Sequence, residues 1–203
     1  MKFDKIIGLG QSCQVAHQIR TNFPQQTESY ILDWFGLYNR ESMTRLLRDG
    51  VHNLAQVENI EDLGFHDHKW RKTRDRKYNV SMLHAFPRSQ TVGEFYPQFR
   101  QKMNYLADRW ENLMASRSRV LFVRLKAKND EGGIALIDAL SAAYPRLDFS
   151  LLVLNFGSSP LRIQTPQFFH ASVGASKDWT GHDESWKQNF DALAEAPEFA
   201  RAT

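Results

Sequence analysis

Apolar residues fall in short, separated runs along this chain, and their spacing predicts strands alternating with helices. Phe3, Ile6 and Ile7 have the compact β-prone character of a buried strand, and Gly8 and Gly10 follow as a sharp turn. Ser12 stands where a helix N-cap belongs, with Val15, Ala16 and Ile19 at helical spacing behind it. Residues 21–26 are polar and contain Pro24, so a loop is expected, followed by the brief apolar run Tyr30-Ile-Leu-Asp-Trp-Phe35, whose start is strand-like. Met43, Leu46 and Leu47 predict a helix over 41–48 that Gly50 stops. Between Asn53 and Asn79 the pattern weakens, and Tyr78 to Phe86 reads as a short strand or tight turn.

The longest periodic element runs from near Val92 to about Ser116. Phe95, Phe99, Met103, Leu106, Trp110 and Leu113 recur at steps of three and four. Pro97 is expected in the first turn, which would start the helix proper at Phe95 or Tyr96. Residues 119–125 and 149–156 read as apolar strands around a helix over 130–144, a βαβ unit that demands parallel pairing and burial of both sheet faces. Residues 167–173 add a further strand and 184–194 a closing helix. The fold class expected is α/β: a three-layer sandwich with a mostly parallel central sheet and a long amphipathic helix, as one domain over 1–203.

Composition narrows the setting. With 203 residues, 42% hydrophobic and 24% charged, the chain can bury one sizeable core. Its single cysteine excludes an internal disulfide framework and a Cys-rich zinc site, and fits a reducing, cytoplasmic compartment. No basic segment leads into a long apolar one, so neither a signal peptide nor a membrane partner is expected. A net charge of +3 permits an anionic ligand without calling for nucleic acid.

Cys13 falls in the first turn of the first helix, where free N–H groups and the helix dipole are expected to lower a thiol pKa; the plainer reading is a small space-filling hydrophobe. The turn itself, Gly8, Gly10, Gln11 and Ser12, is a candidate site for a nucleotide or anion. With Asp33 twenty residues beyond Cys13 it approximates a dinucleotide fingerprint that lacks its third glycine. A nucleophilic Cys13 needs a base, and seven histidines are available. His17 lies one turn along the same helix. His84, flanked by apolar residues, is expected to be partly buried. The run from Lys69 to Lys77 reads as a solvated loop, or as a cradle for the phosphates of coenzyme A or an anionic glycan, with Trp70 too isolated to indicate nucleic acid. His66-Asp67-His68 has suitable atoms but not the spacing to aim both imidazoles and a third ligand at one ion, so no metal site is expected. Arg124 ends an apolar strand, where α/β folds bind ligands, and a surface salt bridge is its ordinary alternative.

Gly8-Leu-Gly-Gln-Ser-Cys-Gln-Val-Ala16, Leu32-Asp-Trp34, Leu83-His-Ala-Phe86, Val120-Leu-Phe-Val-Arg124 and Trp179-x-Gly181-x-Asp183-x-x-Trp186 together resemble a bacterial family described as putative papain-like cysteine peptidases. The resemblance implies Cys13 as nucleophile, His84 as base and Asp33 as orienting acid with Asp183 behind it, a peptide substrate and no required cofactor. A nucleophile just after the first strand of a parallel sheet is also similar to esterase and acyltransferase arrangements. It resembles capsular-polysaccharide proteins that bind coenzyme A as well, which leaves acyl-ester or glycan substrates open. In each case the backbone N–H groups from Gln11 to Cys13 would face an oxyanion. A non-catalytic nucleotide- or anion-binding module is the remaining alternative.

Overall fold

The computed structural model describes residues 3–125 and 132–196. In chain order its elements are β1 (Lys5–Gly8), α1 (Cys13–Asn22), α2 (Arg40–Asp49), β2 (Ile60–Phe65), β3 (Arg71–Asp75), β4 (Val80–Met82), α3 (Val92–Met114), β5 (Arg119–Leu125), α4 (Gly132–Ala143), β6 (Asp148–Phe156), β7 (Arg162–Thr165), β8 (Phe168–Val173) and α5 (Asp183–Glu195). The main sheet has the order β1-β5-β6-β8-β7, parallel except for the antiparallel edge strand β7.

Strand alternation sorts the apolar residues into two layers. Ile7, Val120, Phe122, Leu151, Val153 and Phe168 belong to a core shared with α2, α3 and α4. Ile6, Leu121, Val123, Leu152, Leu154 and Ala171 belong to a second core shared with α1 and α5. The expected three-layer architecture is therefore present. No helix among the described residues is long and apolar enough to cross a membrane.

Three local readings change. The long helix starts at Val92, before Pro97, because Thr91 and Glu94 form a reciprocal capping box that fixes its first turn. Residues 31–34 are consecutive turns, not a strand, and Asp33 accepts the Tyr30 N–H at 2.9 Å inside them. The dinucleotide pattern thereby loses the second strand it requires. The centre of the basic run, Arg71–Asp75, is β3, the middle of a three-stranded antiparallel sheet β2-β3-β4. Arg71 pairs with Asp62 at 2.7 Å and Arg74 with Glu61 at 2.7 Å, so these cations are committed to the neighbouring strand. The beginning of the helix expected over 130–144 lies outside the described residues.

Candidate functional site

β1 delivers the chain to the carboxyl edge of the sheet, and a strained turn hands it to α1. Gly10 has φ +69°, and a Cβ there would stand 3.1 Å from the Leu37 Cβ. Gln11, which is not glycine, is also left-handed at φ 76°. Such backbone is sparsely populated by ordinary residues and is held here by its surroundings. Ser12 caps the helix as expected, its Oγ accepting the Gln14 N–H at 3.2 Å, and Cys13 is the first helical residue, half-buried.

Arg124 secures this turn from below. It is buried, and it donates from Nη1 to the Leu9 carbonyl at 2.7 Å and from Nη2 to the Leu37 carbonyl at 2.9 Å. Burial lowers its pKa to about 10. Arg124 is thus not a surface salt bridge but a clasp on two carbonyls. The segment it holds continues the connection: Gly36 and Ser81 exchange backbone hydrogen bonds of 2.9 and 3.0 Å. His84 comes three residues after Ser81, and this route closes the sequence gap between Cys13 and His84.

Cys13 and His84 line one open cleft of about 620 Å³, together with Gln11, Ser12, Trp34 and Trp179. No hydrogen bond joins Cys13 and His84 among the described residues. His84 is exposed, not partly buried as its apolar neighbours suggested, because it sits on the turn leaving β4. A second cavity of about 370 Å³, walled by Trp34, Phe35, Trp70, Phe95 and Phe99, also has His84 in its lining.

The electrostatics of Cys13 reverse the expectation from its helix position. Burial pushes the thiol above its ordinary value; the residue's own backbone N–H works against this, and the Asp33 carboxylate adds to the rise. Asp33 is itself raised to about 6, chiefly by burial, despite hydrogen bonds from the Tyr30 and Gly8 N–H groups and the nearby Arg20 guanidinium. No hydrogen bond joins it to His84 among the described residues. Its carboxylate is turned beneath the glycine turn, so the orienting geometry implied for it is not formed. Asp183 accepts from Gln18 Nε2 at the start of α5.

His17 packs edge-on against Trp179 with ring centroids 5.2 Å apart, and His182 caps α5. His84 stands instead beside His66, at 5.6 Å between ring centroids, and Trp70, at 6.0 Å. His66, Asp67 and His84 bring one donor atom each within 4.8 Å of one another. Sequence spacing set His66 beside His68; the structure sets it beside His84, which comes from the turn after β4 and is brought alongside by the pairing of β3 with β4.

The fold and cleft define an α/β protein with a helix-initiating cysteine and a histidine on the wall of the same opening. The chain belongs to the family described as "Putative papain-like cysteine peptidase", whose model matches residues 4–159. That match takes in Cys13, Asp33, His84 and Arg124 and stops short of the Trp179 to Trp186 motif. No curated protein and no solved structure matches the chain.

Proposed function

We propose that the chain is a cysteine hydrolase of the peptidase kind, with Cys13 as nucleophile and His84 as general base. What carries the reading is that two residues seventy-one positions apart line one cleft in a member of this family. A thiol raised by burial is protonated at neutral pH, so it attacks only as a base removes its proton; a resting thiolate is not required. In the reaction, Cys13 Sγ bonds to the substrate carbonyl carbon while its proton passes to His84. The oxyanion is met by backbone N–H groups of the Gln11 to Cys13 turn. Collapse expels the amine, which takes the proton from His84, and water then cleaves the thioester. Asp33 and Arg124 support the turn from beneath. A coenzyme A-dependent acyl transfer would share the first half of this chemistry, but the cations Arg71 and Arg74 are paired to acids and Arg124 to carbonyls, which favours water as acceptor.

The test is alkylation of Cys13 by iodoacetamide in metal-free buffer with chelator, alongside hydrolysis of denatured casein. His84→Ala is expected to slow casein hydrolysis by about a hundredfold or more and to slow alkylation, and Cys13→Ser to abolish both. Equal alkylation and hydrolysis in the wild type and His84→Ala would sink the reading.

A further inference from the structure

We propose that His66, Asp67 and His84 form a binding site for a zinc-class divalent ion at the mouth of the cleft. The backbone around the three residues is fixed from several sides. Across the hairpin tip between β2 and β3, the His66 N–H donates to the Trp70 carbonyl at 2.9 Å. The hairpin is stitched to the segment after His84: Arg71 N–H donates to the Phe86 carbonyl at 2.9 Å, Arg88 N–H to the Lys69 carbonyl at 2.8 Å, and Trp70 bridges Pro87. Asp67 is pinned through one oxygen, Oδ1, which accepts the N–H groups of Lys69 at 2.7 Å and Trp70 at 2.8 Å. Its Oδ2 makes no hydrogen bond among the described residues and is the oxygen left for an ion.

Two imidazole nitrogens and one carboxylate oxygen are the donor set that zinc accepts while keeping a fourth position for water. Donors about 2.0–2.1 Å from a tetrahedral ion lie roughly 3.3 Å from one another. One donor atom from each of the three residues already lies within 4.8 Å of the others. The two histidines are exposed, so rotations of their side chains can close the difference while the hairpin stays in place. Arg88 lies over the Phe65 ring at 4.1 Å and donates from Nη1 to the backbone carbonyl of Asp67 at 3.2 Å, so its hydrogen bond is to the main chain and not to the carboxylate.

The site shares His84 with the proposed hydrolase, and this part of the inference rests on that reading. An imidazole nitrogen coordinated to an ion has no lone pair with which to take the Cys13 proton. Bound metal and base catalysis by His84 are therefore alternatives, and the ion acts as an inhibitor.

Calorimetry with zinc chloride on the untagged protein, and visible absorption with cobalt(II) as a tetrahedral probe, test the site. One equivalent is expected. His66→Ala and Asp67→Asn should each weaken binding by at least about tenfold, the latter because the amide keeps the acceptor for the hairpin while losing the charged ligand. Cys13→Ser and His52→Ala should bind as the wild type does. Circular dichroism confirms that the exposed-site variants fold. Unchanged binding in both His66→Ala and Asp67→Asn, loss of binding in Cys13→Ser, or no binding would overturn the proposal. Slowed iodoacetamide reaction at Cys13 on adding zinc to the wild type, but not to Asp67→Asn, supports the shared histidine. Failure of the hydrolase reading shows separately, as His84 independence in metal-free buffer.

Discussion

Replacing Asp33 by asparagine tests the electrostatic core of the site. Asp33 is buried, 5% exposed, and its carboxyl is raised from an ordinary 3.8 to about 6. A carboxyl whose folded value exceeds its unfolded one is favoured in its neutral form by the fold. Below about pH 4 both states hold the proton, and the residue contributes its full stability. Between about 4 and 6 the unfolded chain has released the proton while the native protein keeps it, so stability falls with rising pH. Above about 6 the loss is complete. A gap of about two pH units at about 1.4 kcal/mol each puts that loss at about 3 kcal/mol.

Asparagine is neutral throughout and has no such slope. It keeps one acceptor, enough for the Tyr30 N–H, and leaves the Gly8 N–H without its carboxylate, at a cost of about 1–3 kcal/mol. Asp33→Asn should therefore be less stable than the wild type at pH 4 and should close or reverse the gap by pH 8, the difference moving by about 3 kcal/mol. Urea unfolding followed by tryptophan fluorescence at each pH measures this. Comparing the two proteins cancels the carboxylates whose values are lowered, such as Glu28 beside Lys5, which contribute in the opposite sense. A second readout is chemical: with the carboxylate gone, the Cys13 thiol should fall partway toward its ordinary value and alkylate faster at pH 7.5. A constant stability difference, or one that moves in favour of the wild type as pH rises, would refute the argument, because Arg20 would then outweigh burial.

Trp110→Ala should destabilise the protein by about 3–5 kcal/mol, read as a lower urea midpoint. Trp110 is fully buried against Phe122, and its Nε1 donates to the Tyr144 hydroxyl at 2.8 Å. Gly181→Ala should cost about 1–3 kcal/mol and shift Trp179 fluorescence. Gly181 has φ +96°, and a Cβ there would lie 2.5 Å from the Gln14 Nε2 that holds the Trp179 loop on α1. Thr91→Ala should lower stability by about 1 kcal/mol, measured in the same way, by removing the side chain that caps α3.

The parallel core was legible because its residues answer to local rules. Arg119 to Leu125 is apolar on both faces, and the structure buries those faces in two different layers. The small sheet was not legible, because it is held by pairs that composition cannot display. Glu61 with Arg74 and Asp62 with Arg71 meet across β2 and β3, so a charged run that looked solvated is a strand. Its one deep acid, Asp75, serves turns on either side, accepting the Ala55 and Tyr78 N–H groups. Nothing in the order of residues signals that choice.

The same division runs through the site. Ser12 and Cys13 follow from the capping preference of the sequence and the glycine turn before it, but the ionisation of Cys13 does not, because it is decided by what packs around the turn. A helix N-terminus acts over about one turn and is worth up to about 2 kcal/mol even when partly buried. At Cys13 the net direction is nonetheless upward, because burial of the thiol and the Asp33 carboxylate together exceed the lowering by the residue's own backbone N–H. A cysteine in this setting is not activated by its helix alone. Under the proposed mechanism its chemistry falls to whatever accepts its proton, and control of the reaction to whatever occupies His84. On that proposal, the hairpin that sets His66 and Asp67 beside His84 governs this cleft more than the helix start at Cys13 does.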